Sequence, residues 1–461
     1  MAAAIGYARG MFRWTVKREG IIAPDERPPA GQSVALGVQH IFAMFGATFL
    51  GPLLMGFDPN TAIFFSGIGT LIFFVCVRGQ VPSYLGSSFS FIAVVAAATA
   101  YAGTGPNANL ATALGGIVVC GGLYAVIGLI VMAVGYRWVE WLMPPVITGA
   151  VVMVIGLNLA HIAVLDMSGV PSWFSGANDA FFVTMGLLTT ASVLLVAVYA
   201  PGMLRRLPIL IGGIVGYLLY FVSTNVLSLG PSGAAISFTN FDSAAWIGWP
   251  ALTAPKFDGH AIGLIAPIAI VLVAENLGHV KAVAAMTGRN LDAYLGRAFF
   301  GDGVATMVAG AGGGTGVTTY AENIGVMAVT KIYSSLVFVI AAVVAILMGL
   351  CPKFGALIYT VPGPVLGGLA LVLFGLIAVT GAKIWVQNGV DFSENRNLVT
   401  VATALTIGAG DLTLTVGDFS LGGIAIATFG AILVYQILGL IKLGDEAPAE
   451  EPAAAGAALE A

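Results

Sequence analysis

Glu275 and Glu322 are carboxylates set inside long apolar stretches, "VLVAENLGHVKAV" and "GGGTGVTTYAENIGVMAVTK". A charge at membrane depth costs about 3 kcal/mol or more unless it faces a cavity or a partner, so each marks a candidate functional site. Glu275 and His279 are four residues apart and stack on one helical face. The pair offers an acceptor and an imidazole that can hold it or relay a proton; a structural pair locking two helices is the alternative. Glu322 follows "VTTY" and opens a helical half-span, where free N–H groups and a partial positive charge gather. Carboxylate and amides together present acceptors and donors to a neutral, planar, amide-like solute. An ordinary helix N-cap region is the plainer reading.

Other polar residues surround these two. Asp302, between Gly301 and Gly303, is a further buried carboxylate that either orients the broken helix or shares a proton with the site. Gln39 and His40 form an adjacent polar pair in an apolar helix, suited to supporting hydrogen bonds or to pinning helices together. Asn323 is a supporting residue beside Glu322. Phe89 and Tyr320 could set an aromatic face or edge against a solute, although packing is the commoner role of such residues. Asp411 is assigned nothing, and His161 and His260 sit near span ends. Cys76, Cys120 and Cys351 are scattered in apolar segments without metal spacing, so neither a disulfide framework nor a metal site is indicated. Nothing resembles a nucleophile–base pair, which argues against an enzyme, and a site with two carboxylates and no cation argues against anionic cargo.

The elements that must position these residues follow from composition. The 461 residues are 58% hydrophobic and 9% charged, with 62 Gly, and mean hydropathy is +0.97. Such a chain is an all-α polytopic membrane protein, its glycines suited to close helix contact. Apolar segments recur near 35–55, 60–77, 109–134, 143–165, 180–200, 207–228, 261–286, 294–312, 333–351, 361–382, 397–415 and 419–441. Two interrupted segments, near 82–100 and 314–331, bring the total to about fourteen spans. In these, "SSFSF" and "VTTY" could pair as a short two-stranded contact inside the membrane, because extended backbone there must find partners.

Of the 18 Lys and Arg, only Lys256 and Lys353 fall outside if the N-terminus is cytoplasmic, which places both termini inside. "PVITGAVVMVIGL" from Pro145 aligns without a gap to "PVLGGLALVLFGL" from Pro364. "GIGT" at Gly67 and "GDGV" at Gly301, and the two interrupted segments, repeat at the same interval of seven spans. An odd interval means copies of opposite direction, an inverted repeat of the kind found in secondary transporters. The N-terminal arm lacks the apolar core of a signal peptide and reads as a retained polar segment. The acidic, Ala/Pro-rich C-terminal tail reads as disordered.

"GVQHIFAMFGAT", "VPSYLGSSFSFI", "VAENLGHVKAV" and "TTYAENIGVMAVTKIYS" resemble the signatures of the nucleobase–cation symporter-2 family, also called nucleobase–ascorbate transporters, from about Pro28 to Ile441. Within it the chain resembles the bacterial uracil and pyrimidine permeases, the Rut type among them. The resemblance implies two inverted repeats of seven spans and proton-coupled uptake of a neutral base across the inner membrane, with no other cofactor and no nucleic acid partner. It implies an N-terminal arm (1–34), a core domain (35–135 and 261–352), a gate domain (136–230 and 353–442) with possible homodimer contacts, an outer loop (231–260) and a cytoplasmic tail (443–461). Substrate contacts fall on Glu275, Glu322, Phe89, Tyr320, Ala321 and Ala47, and proton coupling on His279 with Glu275. Ala321 replaces a common glycine, Phe374 stands where some relatives have tyrosine, and Asn276 stands where a second histidine can occur. Asp302 is shared in type with the xanthine branch, which keeps a purine (xanthine or urate) permease as the alternative.

Overall fold

The computed structural model describes residues 13–101, 105–168, 180–202, 204–416 and 419–440. In chain order the helices are α1 (Ala30–Met55), α2 (Pro59–Cys76), α3 (Ile92–Thr99), α4 (Leu110–Val134), α5 (Arg137–Leu142), α6 (Pro145–Met167), α7 (Ala180–Tyr199), α8 (Pro208–Phe221) and α9 (Thr239–Ser243). They continue with α10 (Gly259–Ile265), α11 (Ile268–Thr287), α12 (Leu295–Gly312), α13 (Ala321–Thr330), α14 (Ser335–Gly349), α15 (Pro352–Ile358), α16 (Gly363–Gln387), α17 (Asn395–Ala409) and α18 (Gly423–Leu440). Among the described residues, nine helices are long and apolar enough to cross a membrane, or ten if α14 and α15, bent by 86°, are one span. α10 and α11 count there as one 29-residue span, broken where Pro267 lacks an N–H.

The two interrupted segments are broken as their sequences require. Strand β3 (Leu85–Ser87) pairs antiparallel with β4 (Val317–Thr319), Leu85 opposite Thr319 and Ser87 opposite Val317. The paired strand is therefore "LGS". "SSFSF" contributes only Ser87 and then turns through a 3-10 segment, Phe89–Phe91, into α3. Ser88 brings this about, since its side chain accepts from Ser90 N–H and starts the helix.

Extended backbone buried this deep needs partners on both edges. Helix α2 supplies them for β3: Leu85 N donates to Thr70 Oγ1 at 2.9 Å and Leu85 O accepts from Ser66 Oγ at 2.6 Å. Helix α12 does the same for β4, where Thr306 Oγ1 donates to Val317 O at 3.0 Å and accepts from its N–H at 3.2 Å. Gly86 lets the strands close. A Cβ there would lie 2.4 Å from Tyr320 Cζ, whose ring crosses β3 to donate to Ser87 O at 3.0 Å.

Helices α6 and α16, which carry the repeated segments, pack face to face and antiparallel. A Cβ on Gly156 would sit 2.4 Å from Phe374 O, and one on Gly381 would sit 2.4 Å from Gly149 O. Small residues let the two backbones approach this closely.

The N-terminal arm is folded onto the helices. β1 (Thr15–Val16) pairs with β2 (Glu26–Arg27), Ile22 bridges Ile332, and Trp14 Nε1 donates to Ser335 Oγ at 3.0 Å. A third short pair, β5 (Leu414–Val416) with β6 (Phe419–Leu421), joins α17 to α18. The first twelve residues and the tail from 441 lie outside the described residues.

Candidate functional site

A partly open cavity of about 50 Å³ lies where the two broken segments meet. One wall is Ser87, Ser88 and Phe89 from the β3–α3 break, Glu275 and His279 from α11, and Thr318 to Glu322 from the β4–α13 break. The opposite wall is Val152 and Ile155 from α6 with Ile377 and Thr380 from α16. Glu275, Glu322, Phe89, Tyr320, Ala321 and His279 are thus brought together around one space.

Glu275 and His279 share a helix face, but each takes a partner other than its neighbour. Ser88 Oγ donates to Glu275 Oε2 at 3.5 Å, a long contact that leaves the carboxylate able to accept from a solute. His279 Nδ1 lies 2.9 Å from Thr319 Oγ1 on β4. The imidazole's bond thus goes to Thr319 on β4 rather than to the carboxylate, and the hydroxyl that reaches the carboxylate is Ser88, just past β3. The reason is geometric: the strand pair crosses beside α11 and offers hydroxyls nearer than one helical turn away.

Glu322 is the second residue of α13, after the extended N-cap Tyr320. The first N–H groups of a helix have no intrahelical acceptor, so Ala321 and its neighbours offer donors beside the two carboxylates. Phe89 packs edge-on to Phe374, ring centroids 5.7 Å apart at 80°. Phe374 is not itself in the lining but packs against Phe89, which is.

The remaining candidates stand behind this layer. Asn323 Nδ2 donates to His40 Nδ1 at 2.9 Å and to His40 O at 3.2 Å, pinning α13 to α1. That bond requires the neutral ring with its proton on Nε2, and the ring packs against Phe338. Gln39 is buried beside it. Asp302, wholly buried, accepts from Asn276 Nδ2 at 2.6 Å and from Tyr124 Oη at 3.4 Å. It ties α12 to α11 and α4 and does not line the cavity. Ala47 is a buried residue of α1 outside the lining.

Sequence reasoning missed Ser87, Ser88, Thr318, Thr319 and the four residues of the opposite wall. Thr318 and Thr319 were in the flagged "VTTY", and Val152 and Ile155 lie in the segment read only as a repeat. Cys120 is buried and Cys76 and Cys351 are partly so, all as free thiols. Asp411 accepts from Asn158 Nδ2 at 3.0 Å and from Gly423 N at 3.2 Å, a link from α6 to the end of α17.

A many-spanned helical chain with a polar chamber between opposed broken helices has the construction of a membrane permease rather than of an enzyme. A family model described as "Permease family" (Xan_ur_permease) matches residues 31–417, and the chain belongs to that family, the nucleobase–cation symporter-2 transporters. It is 58% identical over 448 residues to the Escherichia coli (strain K12) protein named "Putative pyrimidine permease RutG", covering 97% of this chain and 98% of that one. It is 40% identical over 424 residues to the uracil permease of Bacillus caldolyticus, covering 90% and 94%. Among solved structures it resembles SLC26A9, with a TM-score of 0.61 and 14% identity, over 88% of this chain and 65% of that one. That likeness concerns the fold alone.

Proposed function

We propose that the protein carries a neutral nucleobase, uracil or a related pyrimidine, together with a proton across the inner (plasma) membrane by alternating access. The observation that carries this reading is the convergence of Glu275 and Glu322 with the start of α13 and the Phe89 ring on one cavity whose lining has no Lys or Arg. Two carboxylate acceptors and a set of backbone donors complement the amide edge of a pyrimidine, and the aromatic ring its face. A proton taken up at Glu275 and His279 removes the cost of a second uncompensated charge, so the loaded site moves more easily than the empty charged one. The relatives' names support the pyrimidine class.

Fourteen spans in two inverted repeats of seven suit the packing. α2 packs on α14 as α12 packs on α4, α7 on α8 as α17 on α18, and α16 on α7 as α6 on α17; β3–β4 and α6–α16 pair each element with its own counterpart. Every one of these contacts maps onto another, or onto itself, when each span is exchanged for the one seven later. α1–α4 and α10–α14 then form a core that bears the site. α6–α8 and α16–α18 form a gate, which is also the face for a homodimer. The basic residues put both termini in the cytoplasm. On the outer side Tyr359 Oη donates to Phe57 O at 3.2 Å and Phe374 abuts Phe89. Ile377 and Thr380 lie beyond Phe374 toward Lys383, so the cavity faces inward.

Glu275→Gln and Glu322→Gln should each abolish proton-driven uracil uptake in proteoliposomes while the protein still reaches the membrane. Normal uptake by either variant removes that residue from the mechanism. A purine is the alternative that the resemblance of Asp302 to the xanthine branch leaves, with Asp302 itself behind the lining. Competition of labelled uracil by xanthine and urate decides it, and displacement by xanthine at lower concentration than by uracil reverses the assignment.

A further inference from the structure

Lys281 lies two residues beyond His279 on α11 and contributes nothing to the cavity lining. Its Nζ is 2.8 Å from Glu140 Oε1 and 2.6 Å from Asp292 Oδ1. Tyr136 completes the group, donating its Oη proton to Asp292 Oδ2 at 2.6 Å while its ring lies under Lys281, 4.8 Å from Nζ to the centroid. Asp292 follows α11 in the chain. Glu140 and Tyr136 belong to α5 and the turn before it, the connection between α4 and α6.

That connection has two distinct ends. At one, Gly135 has φ +89° and ψ 172°, a backbone region open essentially to glycine alone, and a Cβ there would meet nothing within 4 Å. At the other, Gln436 Nε2 of α18 donates to Trp141 O at 2.7 Å and Leu142 O at 3.5 Å. α5 therefore turns away from α4 at Gly135, is tied to α18 at its far end, and is held at its middle by the helix that carries Glu275 and His279.

We propose that Lys281 is a positioning residue: its bridge to Glu140 is a cytoplasmic latch between core and gate that favours the orientation seen here and opens when the core swings. The inference rests on the two-body transport reading. The side chains of Lys281, Glu140 and Asp292 are 38%, 40% and 27% exposed. Pairs wetted to that degree form and break at small cost, as a reversible latch needs, whereas a dry pair would lock the two bodies together. Asp292, on the core, keeps the ammonium aimed across the gap, and Tyr136 meets it from the same side as Glu140, so the charge is in place when the bodies meet again.

The test reads orientation without using substrate. In a background with Cys76, Cys120 and Cys351 replaced by Ala, Ile377→Cys reports access to the cavity through its rate of labelling by an impermeant maleimide from the cytoplasmic side. Glu140→Gln and Lys281→Met should each slow that labelling about two- to five-fold, the range an exposed pair can supply. The double variant should match the single ones rather than multiply their effects. Lys17→Met, which breaks an ion pair within the N-terminal arm, should leave the rate unchanged, and melting in detergent should be the same for all. Labelling at the parent rate in the single variants, multiplicative loss in the double variant, or an equal drop in Lys17→Met overturns the latch. A protein that labels as expected but takes up no uracil keeps the latch and overturns the substrate instead.

Discussion

The two walls of the cavity are built on opposite plans. The wall formed by β3, β4, α11 and α13 is polar, discontinuous and braced from behind: Thr70, Ser66 and Thr306 hold its strands, and Asn323, His40, Asn276 and Asp302 hold its helices. The wall formed by α6 and α16 is two unbroken helices offering Val152, Ile155, Ile377 and one hydroxyl, which Thr380 already spends on Leu376 O at 2.8 Å. Under the proposed transport reading, recognition is concentrated on one body and plain surface on the other. A solute held by directed hydrogen bonds on one side and apolar contact on the other can move with the first body and slide past the second, because only directed bonds resist displacement.

Damage to the braced wall should therefore cost far more than damage to the plain one. The largest effect is expected from Gly86→Val. The added atoms collide with the Tyr320 ring, strain of about 1–3 kcal/mol must be relieved by moving β3, and uptake should be lost with protein still in the membrane. Retained uptake would mean the strand pair is only scaffolding. Thr319→Val is next. It removes the hydroxyl that meets His279, worth about 1 kcal/mol, so proton-driven accumulation should fall about five-fold. Uracil exchange across the membrane without a gradient should fall less; an equal loss in both assays would place Thr319 in binding rather than coupling. Thr380→Val should change the half-saturating uracil concentration by less than about two-fold, since its hydroxyl is bonded within its own helix. A ten-fold change would show that the plain wall also recognises the solute.

Much of this was legible from a few residues. Glu275 and Glu322 stood out because a carboxylate in an apolar run has few stable places to go, and both line the cavity. The breaks were legible from Gly, Ser and Thr runs too polar for lipid. The strand was placed two residues late, because no local signal separates "LGS" from "SSF" until the cap formed by Ser88 is seen. The hydroxyl partners of Glu275 and His279 were not legible for a related reason. Spacing on one helix shows which side chains share a face but not which neighbouring element reaches them first. Ala47 and Asp302 are buried outside the cavity lining, a placement that spacing along the chain does not reveal.

Composition, spacing and the repeated segments determined the membrane class, the two acids that line the cavity, the broken spans and the opposite sense of the two copies. Each follows from the cost of polar groups in lipid, which acts on every residue in turn. Tertiary structure decided the strand register, the hydroxyls that hold Glu275 and His279, the apolar wall from α6 and α16, and the meeting of Lys281 with Glu140. These depend on which distant elements come within hydrogen-bonding reach, a matter of packing between helices that no single stretch of the chain encodes.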